Sequence, residues 1–144
     1  EEDGGETPEP TDAITFIGLP AEYTNPATNG DEVKVTMNAT NGIKNIFVNI
    51  SSENAGFNEM LSGLNFDKEF DLVNPSAEVK GNLIGLGLIQ EGVSIEGKTT
   101  YIFDVTGFME PLEKTSSGLN TFSIRVVDLK DNEASGDLRI TVVK

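Results

Sequence analysis

Thr121-Phe122-Ser123-Ile124-Arg125-Val126-Val127-Asp128, then a polar turn, then Asp137-Leu138-Arg139-Ile140-Thr141-Val142-Val143, decides the fold class of this chain. Both runs alternate with period two. Phe122, Ile124 and Val126 fall on one face of the first, and Leu138, Ile140 and Val142 on one face of the second. Successive side chains of a strand point to opposite faces, so each run predicts a strand with one buried side. The polar turn between them predicts an antiparallel hairpin that closes a two-sheet domain.

The same period recurs upstream. Ala13 to Gly18 predicts a first strand, with Ile14 and Phe16 set against Thr15 and Ile17. A loop rich in Pro and Asn follows from Leu19 to Asp31. Val33, Val35 and Met37 alternate with Lys34, Thr36 and Asn38 in a second strand. Asn41-Gly42 then predicts a tight hairpin turn, because both residue types tolerate positive φ. A third strand runs from about Ile43 to Ser52, with Ile46, Val48 and Ile50 on one side. Thr99 to Thr106 is strand again, with Tyr101, Phe103 and Val105 alternating with Ile102 and Asp104. Gly107 to Gly118 is a connection with one helical turn around Met109 to Glu113.

Between the third strand and Thr99 the period changes. Phe57, Met60, Leu61 and Leu64 sit at i, i+3, i+4 and i+7, one stripe of a helix that stops near Gly63. A second helix is expected from Asn74-Pro75, with Asn as N-cap and Pro at the first helical position. Val79, Leu83 and Leu86 share its face, and Gly85 and Gly87 end it. Leu61-Ser62-Gly63-Leu64-Asn65-Phe66 and Leu83-Ile84-Gly85-Leu86-Gly87-Leu88 look alike, which a shared helix-stop pattern explains. The resulting expectation is a mainly β chain. It would be a β-sandwich of about six or seven antiparallel strands, of immunoglobulin-like plan, with two short helices inserted mid-chain. The folded domain would span residues 13–144, behind a flexible acidic leader at residues 1–12 that offers no apolar side chain to bury.

Composition narrows the function classes. The 144 residues suit one domain, which at this size buries roughly 70% of its unfolded surface. Cysteine and histidine are absent, which removes thiol nucleophiles, disulfides and histidine acid–base chemistry. Tryptophan is absent too, which weakens a sugar-stacking reading. With 24 acidic and 10 basic residues the net charge is -14, a field that repels nucleic acid and anionic lipid. No run approaches a transmembrane length.

The polar clusters have ordinary readings beside sharper ones. Asp128, Asp131, Asn132 and Asp137 surround the last turn. They are turn-forming residues, expected to point into water; the sharper reading is a calcium site of hard oxygen ligands, although the spacing does not match an EF-hand. Asp67, Glu69, Asp71, Glu110 and Glu113 supply carboxylates of the kind a glycan hydrolase sets across one pocket. Ser116-Ser117-Gly118, Ser51-Ser52 and Lys114 hold hydroxyls and an amine but no histidine. Asn38-Ala39-Thr40 and Asn49-Ile50-Ser51 match the N-glycosylation pattern. No catalytic, cofactor-binding or metal residue is assigned, and no cofactor is expected.

Four stretches taken in order carry a resemblance: Gly42-Ile43-Lys44-Asn45-Ile46-Phe47-Val48-Asn49-Ile50, Phe70-Asp71-Leu72-Val73-Asn74-Pro75, Phe103-Asp104-Val105-Thr106-Gly107-Phe108-Met109, and Asn120-Thr121-Phe122-Ser123-Ile124-Arg125-Val126-Val127-Asp128. Over most of residues 13–144 the chain resembles the immunoglobulin-like domains of Bacteroidetes cell-envelope lipoproteins. That resemblance implies a signal peptide ending in a lipidated cysteine. Glu1-Glu2-Asp3-Gly4-Gly5 resembles the acidic stretch that follows such a cysteine in surface-exposed lipoproteins. It implies a non-enzymatic, lipid-anchored outer-membrane module acting as spacer or protein/glycan-interaction domain, the alternatives being a carboxylate-dependent glycan hydrolase or a calcium-stabilised adhesion module. The partner would be a protein or glycan, with no nucleic acid involved and the membrane reached only through the anchor. It carries no site residues with it.

Overall fold

The computed structural model describes residues 13–144, so the expected leader at residues 1–12 lies outside them. Eight strands and four helices follow in chain order: β1 (Ile14–Ile17), β2 (Ala21–Thr24), α1 (Pro26–Asn29), β3 (Lys34–Ala39), β4 (Ile43–Ser52), α2 (Ala55–Gly63), β5 (Phe70–Asp71), α3 (Ala77–Gly85), β6 (Thr100–Asp104), α4 (Thr106–Thr115), β7 (Gly118–Asp128) and β8 (Glu133–Val142). The chain is mainly β, in two sheets. One has the order β1-β3-β6 and the other β2-β8-β7-β4-β5.

The closing hairpin pairs as its alternation predicts. Phe122 lies opposite Leu138, and Ile50 lies opposite Phe122 on the other side. Phe122, Ile124, Val126, Leu138, Ile140 and Val142 are buried, as are Val35, Met37, Ile46, Val48, Ile50, Phe103 and Val105. Of the residues expected inside, Phe16 is only half-buried, because β1 is an edge strand whose chain leaves the sheet one residue later. In β4 the register slips between Ile43 and Asn45. That bulge lets Ile43 and Ile46 both face inward although they are three apart in sequence.

Two expectations about connections are corrected. Asn41-Gly42 does not turn a hairpin. β3 pairs with β1 and β6, while β4 pairs with β7 and β5, so the dipeptide carries the chain from one sheet to the other. Gly42 sits at φ 92. A β-carbon there would lie 2.9 Å from Leu129 Cδ1 and 3.3 Å from Gly97 O, so glycine is required for approach as well as for angle. The stretch from Leu19 to Asp31 is not all loop. It holds β2, which pairs parallel with β8, and the single turn α1. The first stretch of strand is thereby split between the two sheets, and one pairing is parallel where only antiparallel ones were expected. Ala21–Thr24 is short and lies between Pro20 and Pro26, so local pattern gave it no strand signal.

The helices also differ in detail. α2 begins at Asn54, whose side chain accepts from Phe57 N–H at 3.1 Å, and Phe57 and Leu61 bury the expected stripe. α3 starts two residues later than Asn74-Pro75 implied. Ser76 is the N-cap and its hydroxyl accepts from Val79 N–H at 3.4 Å. The look-alike segments do share a stop. Asn65 (φ 63) and Gly87 (φ 75) take the left-handed conformation. Phe66 N–H then reaches back to Leu61 O at 2.8 Å, and Leu88 N–H to Leu83 O at 2.9 Å. Leu61, Phe66, Leu83 and Leu88 are all buried, which is the apolar clasp of a Schellman motif. The expected turn at Met109–Glu113 is the middle of a ten-residue helix, α4, with Pro111 inside it.

α4 explains how the helical layer joins the sheets. The Phe108 ring lies 6.0 Å from Phe57 on α2, 6.3 Å from Phe66 and 6.2 Å from Phe122 on β7, edge-on to the last two. Edge-to-face pairs of this kind stabilise beyond the area they bury. Replacing Phe122 by Ala should therefore lower unfolding free energy by about 3–5 kcal/mol, read from the urea midpoint. A loss under about 1 kcal/mol would mean that the ring does not sit in a close-packed core.

Candidate functional site

The register that buries Phe122, Ile124 and Val126 also carries Asn120 and Asp128, two residues further out at each end. Both are fully buried. The expectation that the acids of the last turn point into water is thus corrected for Asp128. Its carboxylate accepts from Lys130 N–H at 2.9 Å, Asn132 N–H at 2.8 Å, Asn132 Nδ2 at 2.9 Å and Asn41 Nδ2 at 3.0 Å. Burial alone would raise its pKa. The hydrogen bonds from Asn132, Asn41 and Lys130 outweigh that and hold the carboxyl below its ordinary value. The other acids of the turn go elsewhere. Asp131 pairs with Lys44 at 2.9 Å, and Asp137 sits opposite Ser123 in the middle of the ladder, near Arg139. Among the described residues no three acidic side chains converge as a cation site would need.

The remaining carboxylates fall in separate places. Asp67, Glu69 and Asp71 line a groove beside β5, whereas Glu110 and Glu113 line another between α1, α4 and the end of β8. Asp71 is occupied as a staple. It accepts from Asn45 Nδ2 at 2.6 Å, Ile46 N–H at 3.2 Å and Val73 N–H at 2.9 Å. Glu113 accepts from Ala27 N–H and from both the N–H and hydroxyl of Thr28, so it ties α4 to α1. Ser116 and Ser52 both donate to Asn120 Oδ1, and Asn120 Nδ2 donates to Ile140 O at 3.1 Å and Gly118 O at 3.3 Å. The hydroxyl of Ser116 is therefore spent on a buried amide rather than paired with Lys114.

Sequence reasoning passed over several of these roles. For Asn120 and Asp128 the signal was present, since both continue the inward face of their strand. For Asn25 it was not. Its side chain extends the parallel ladder of β2 and β8, donating to Val143 O at 3.1 Å and accepting from Val143 N–H at 2.9 Å. That pairing joins positions far apart in sequence, and no local pattern announces it.

A different surface lies where segment 86–98 passes beside β6. A groove of about 450 Å³ is lined there by Leu88, Ile89, Val93, Ile95, Tyr101 and Ile102 among others. The Tyr101 hydroxyl donates to Leu88 O at 3.1 Å, and burial pushes its pKa up to about 12. The outer face of the five-stranded sheet is by contrast largely polar. Asn49, Ser123 and Asp137 form one row across it, and Ser51, Thr121, Arg139 and Glu22 the next. Arg125 lies 4.3 Å over the Phe47 ring on the same face.

No family model and no curated protein matches the chain. Among solved structures, one similar chain is a Ca2+-stabilized adhesin that helps an Antarctic bacterium reach out and bind ice. It is 10% identical, with a TM-score of 0.27 over 97% of this chain and 26% of that one. This chain thus spans about a quarter of the length of that relative, and so distant a likeness assigns neither fold family nor function. Among the described residues no helix is long and apolar enough to cross a membrane.

Asp128 yields a test of the turn. In Asp128→Asn the new amide would face the amides of Asn41 and Asn132, donor against donor. Stability at neutral pH should fall by about 1–3 kcal/mol. A carboxyl with a depressed folded pKa stabilises above its unfolded pKa, and that contribution is lost as pH falls through the folded pKa. The gap between wild type and variant should accordingly narrow below about pH 4. Urea unfolding of both proteins across that range measures it; equal stability at neutral pH would contradict the turn's dependence on the carboxylate.

Proposed function

We propose that this chain is an immunoglobulin-like module of a bacterial cell surface that works without catalysis, as a spacer presenting faces to protein or glycan partners. One observation carries the spacer reading. Ala13 and Lys144 lie at opposite poles. Ala13 O accepts from Thr40 N–H at 2.9 Å, beside the Asn41-Gly42 crossing and the β7–β8 turn. Lys144 Nζ donates to Glu113 O at 2.6 Å, beyond the far end of β8. The ten residues of β8 separate these poles by roughly 30 Å. Chain joined at each end would be held apart by the length of the domain.

The immunoglobulin-like assignment is supported by topology. β1, β3 and β6 form one sheet and β4, β7 and β8 the core of the other, with the initial strand divided between them as β1 and β2. The helical insert stands where a middle edge strand would lie in that plan. The non-enzymatic reading is supported by Asp71, Asp128, Glu113 and Ser116, whose polar atoms hold loops and helices in place. Surface exposure and a lipid anchor belong to the same proposal and rest on the likeness of Glu1-Glu2-Asp3-Gly4-Gly5 to a lipoprotein leader.

The chain has no cysteine, so Ala13→Cys and Lys144→Cys supply two unique label sites. Spin labels there should sit roughly 30 Å apart or more, in a narrow distribution. With two copies joined head to tail, the distance between the outermost labels should grow by a similar increment. Labels that stay close, or a tandem no longer than one copy, would overturn the spacer reading.

A further inference from the structure

The β1-β3-β6 sheet ends at β6, and the register fixes where the backbone groups of that strand point. Val105 N–H donates to Val33 O at 2.9 Å, and Ala39 N–H donates to Thr99 O at 2.9 Å. Residues 99 and 105 therefore face β3, and by the period of two so do Tyr101 and Phe103. The N–H and C=O groups of Thr100, Ile102 and Asp104 point the opposite way. Among the described residues, no backbone hydrogen bond reaches them from segment 86–98. That segment meets β6 through the Tyr101 hydroxyl instead, and leaves the groove between them open along the strand.

Proteins usually blunt a free sheet edge with proline, brevity or a cover. The other edges of this fold follow that rule. β2 lies between Pro20 and Pro26, β5 has two residues, and β1 passes at once to the second sheet. β6 has five residues and no proline. Ile102 projects from it 53% exposed, and Val93 faces the same groove 46% exposed. An open row of backbone donors and acceptors beside an apolar groove has the chemistry to take an added strand.

Charge selects the occupant. Asp104 lines the groove together with Lys98, Lys34 stands opposite Asp104 on β3, and Glu91 and Glu96 flank the groove in sequence, so acids exceed bases around it by one. The chain as a whole carries -14, so a second copy is repelled while a basic strand is drawn in. We propose that β6 is a docking edge for an extended, basic segment of a partner protein, which pairs with the backbone of Thr100–Asp104 and sets alternate apolar side chains in the groove. This does not rest on the spacer reading, because a spacer without partners would still hold its ends apart.

The probe is the peptide acetyl-Lys-Val-Lys-Val-Lys-Val-Lys-amide, titrated into isotope-labelled protein. The amides of Thr100, Ile102 and Asp104 should shift and gain protection from hydrogen exchange. The same peptide N-methylated at every residue should lose binding, because it cannot donate to the edge. Ile102→Pro removes the outward N–H and leaves the β3 ladder intact, so it should weaken the parent peptide by about tenfold. If that variant does not fold, the methylated peptide decides alone. Equal binding of both peptides, or shifts scattered over acidic surface without protection at those three amides, would overturn the proposal. So would protection in the free protein that grows with its concentration, which would make the occupant a second copy.

Discussion

The chain changes sheets at Asn41-Gly42, and the rest of the fold is pinned to that crossing. Gly42 O accepts from Leu129 N–H at 2.9 Å, which brings the β7–β8 turn against it. Asn41 Nδ2 reaches the Asp128 carboxylate from the other side. The segment ahead of β6 then bridges both sheets through adjacent carbonyls. Lys98 O accepts from Ile43 N–H on β4, and Thr99 O accepts from Ala39 N–H on β3. Three stretches distant in sequence thus meet within a few ångströms. A buried carboxylate is tolerated at their centre because every lone pair it offers is used.

The opposite pole is built from side chains rather than from a glycine. Asn120 gathers Ser52, Ser116 and the Ile140 carbonyl, Asn25 continues the β2–β8 ladder, and Glu113 holds α4 on α1. Between the poles the core is apolar, and Phe108 couples the helical layer to it. Both ends of the domain are thus tied by hydrogen bonds between distant elements, as the proposed spacer role would require. The long side of the three-stranded sheet is the part left open, and there the fold offers backbone rather than reactive side chains.

The alternating runs were legible because they are local. Phe122 to Val126, Leu138 to Val142 and Val33 to Met37 each declare their buried face within a few residues, and the structure places them there. The Phe57 stripe and the twin helix stops at Asn65 and Gly87 are equally local. What escaped was long-range. Ala21–Thr24 becomes strand only because β8 lies beside it, and Asn41-Gly42 has the composition of a hairpin turn whichever sheet the next strand joins. Asp128 was readable and misjudged. Its register predicted burial, while its residue type suggested water, and the neighbouring donors decided in favour of register.

The crossing can hold the fold only if it opens no more easily than the core. Native-state hydrogen exchange at the amides of Leu129, Ile43 and Gly97 tests this most directly, since Leu129 donates to Gly42 while Ile43 and Gly97 close a reciprocal pair between the start of β4 and the segment ahead of β6. These three should exchange as slowly as Phe122 and Ile124 at the centre of β7, through global unfolding alone and with its full denaturant dependence. Fast exchange at them by local opening, insensitive to denaturant while the centre of β7 stays protected, would contradict the claim that the fold is held at this point.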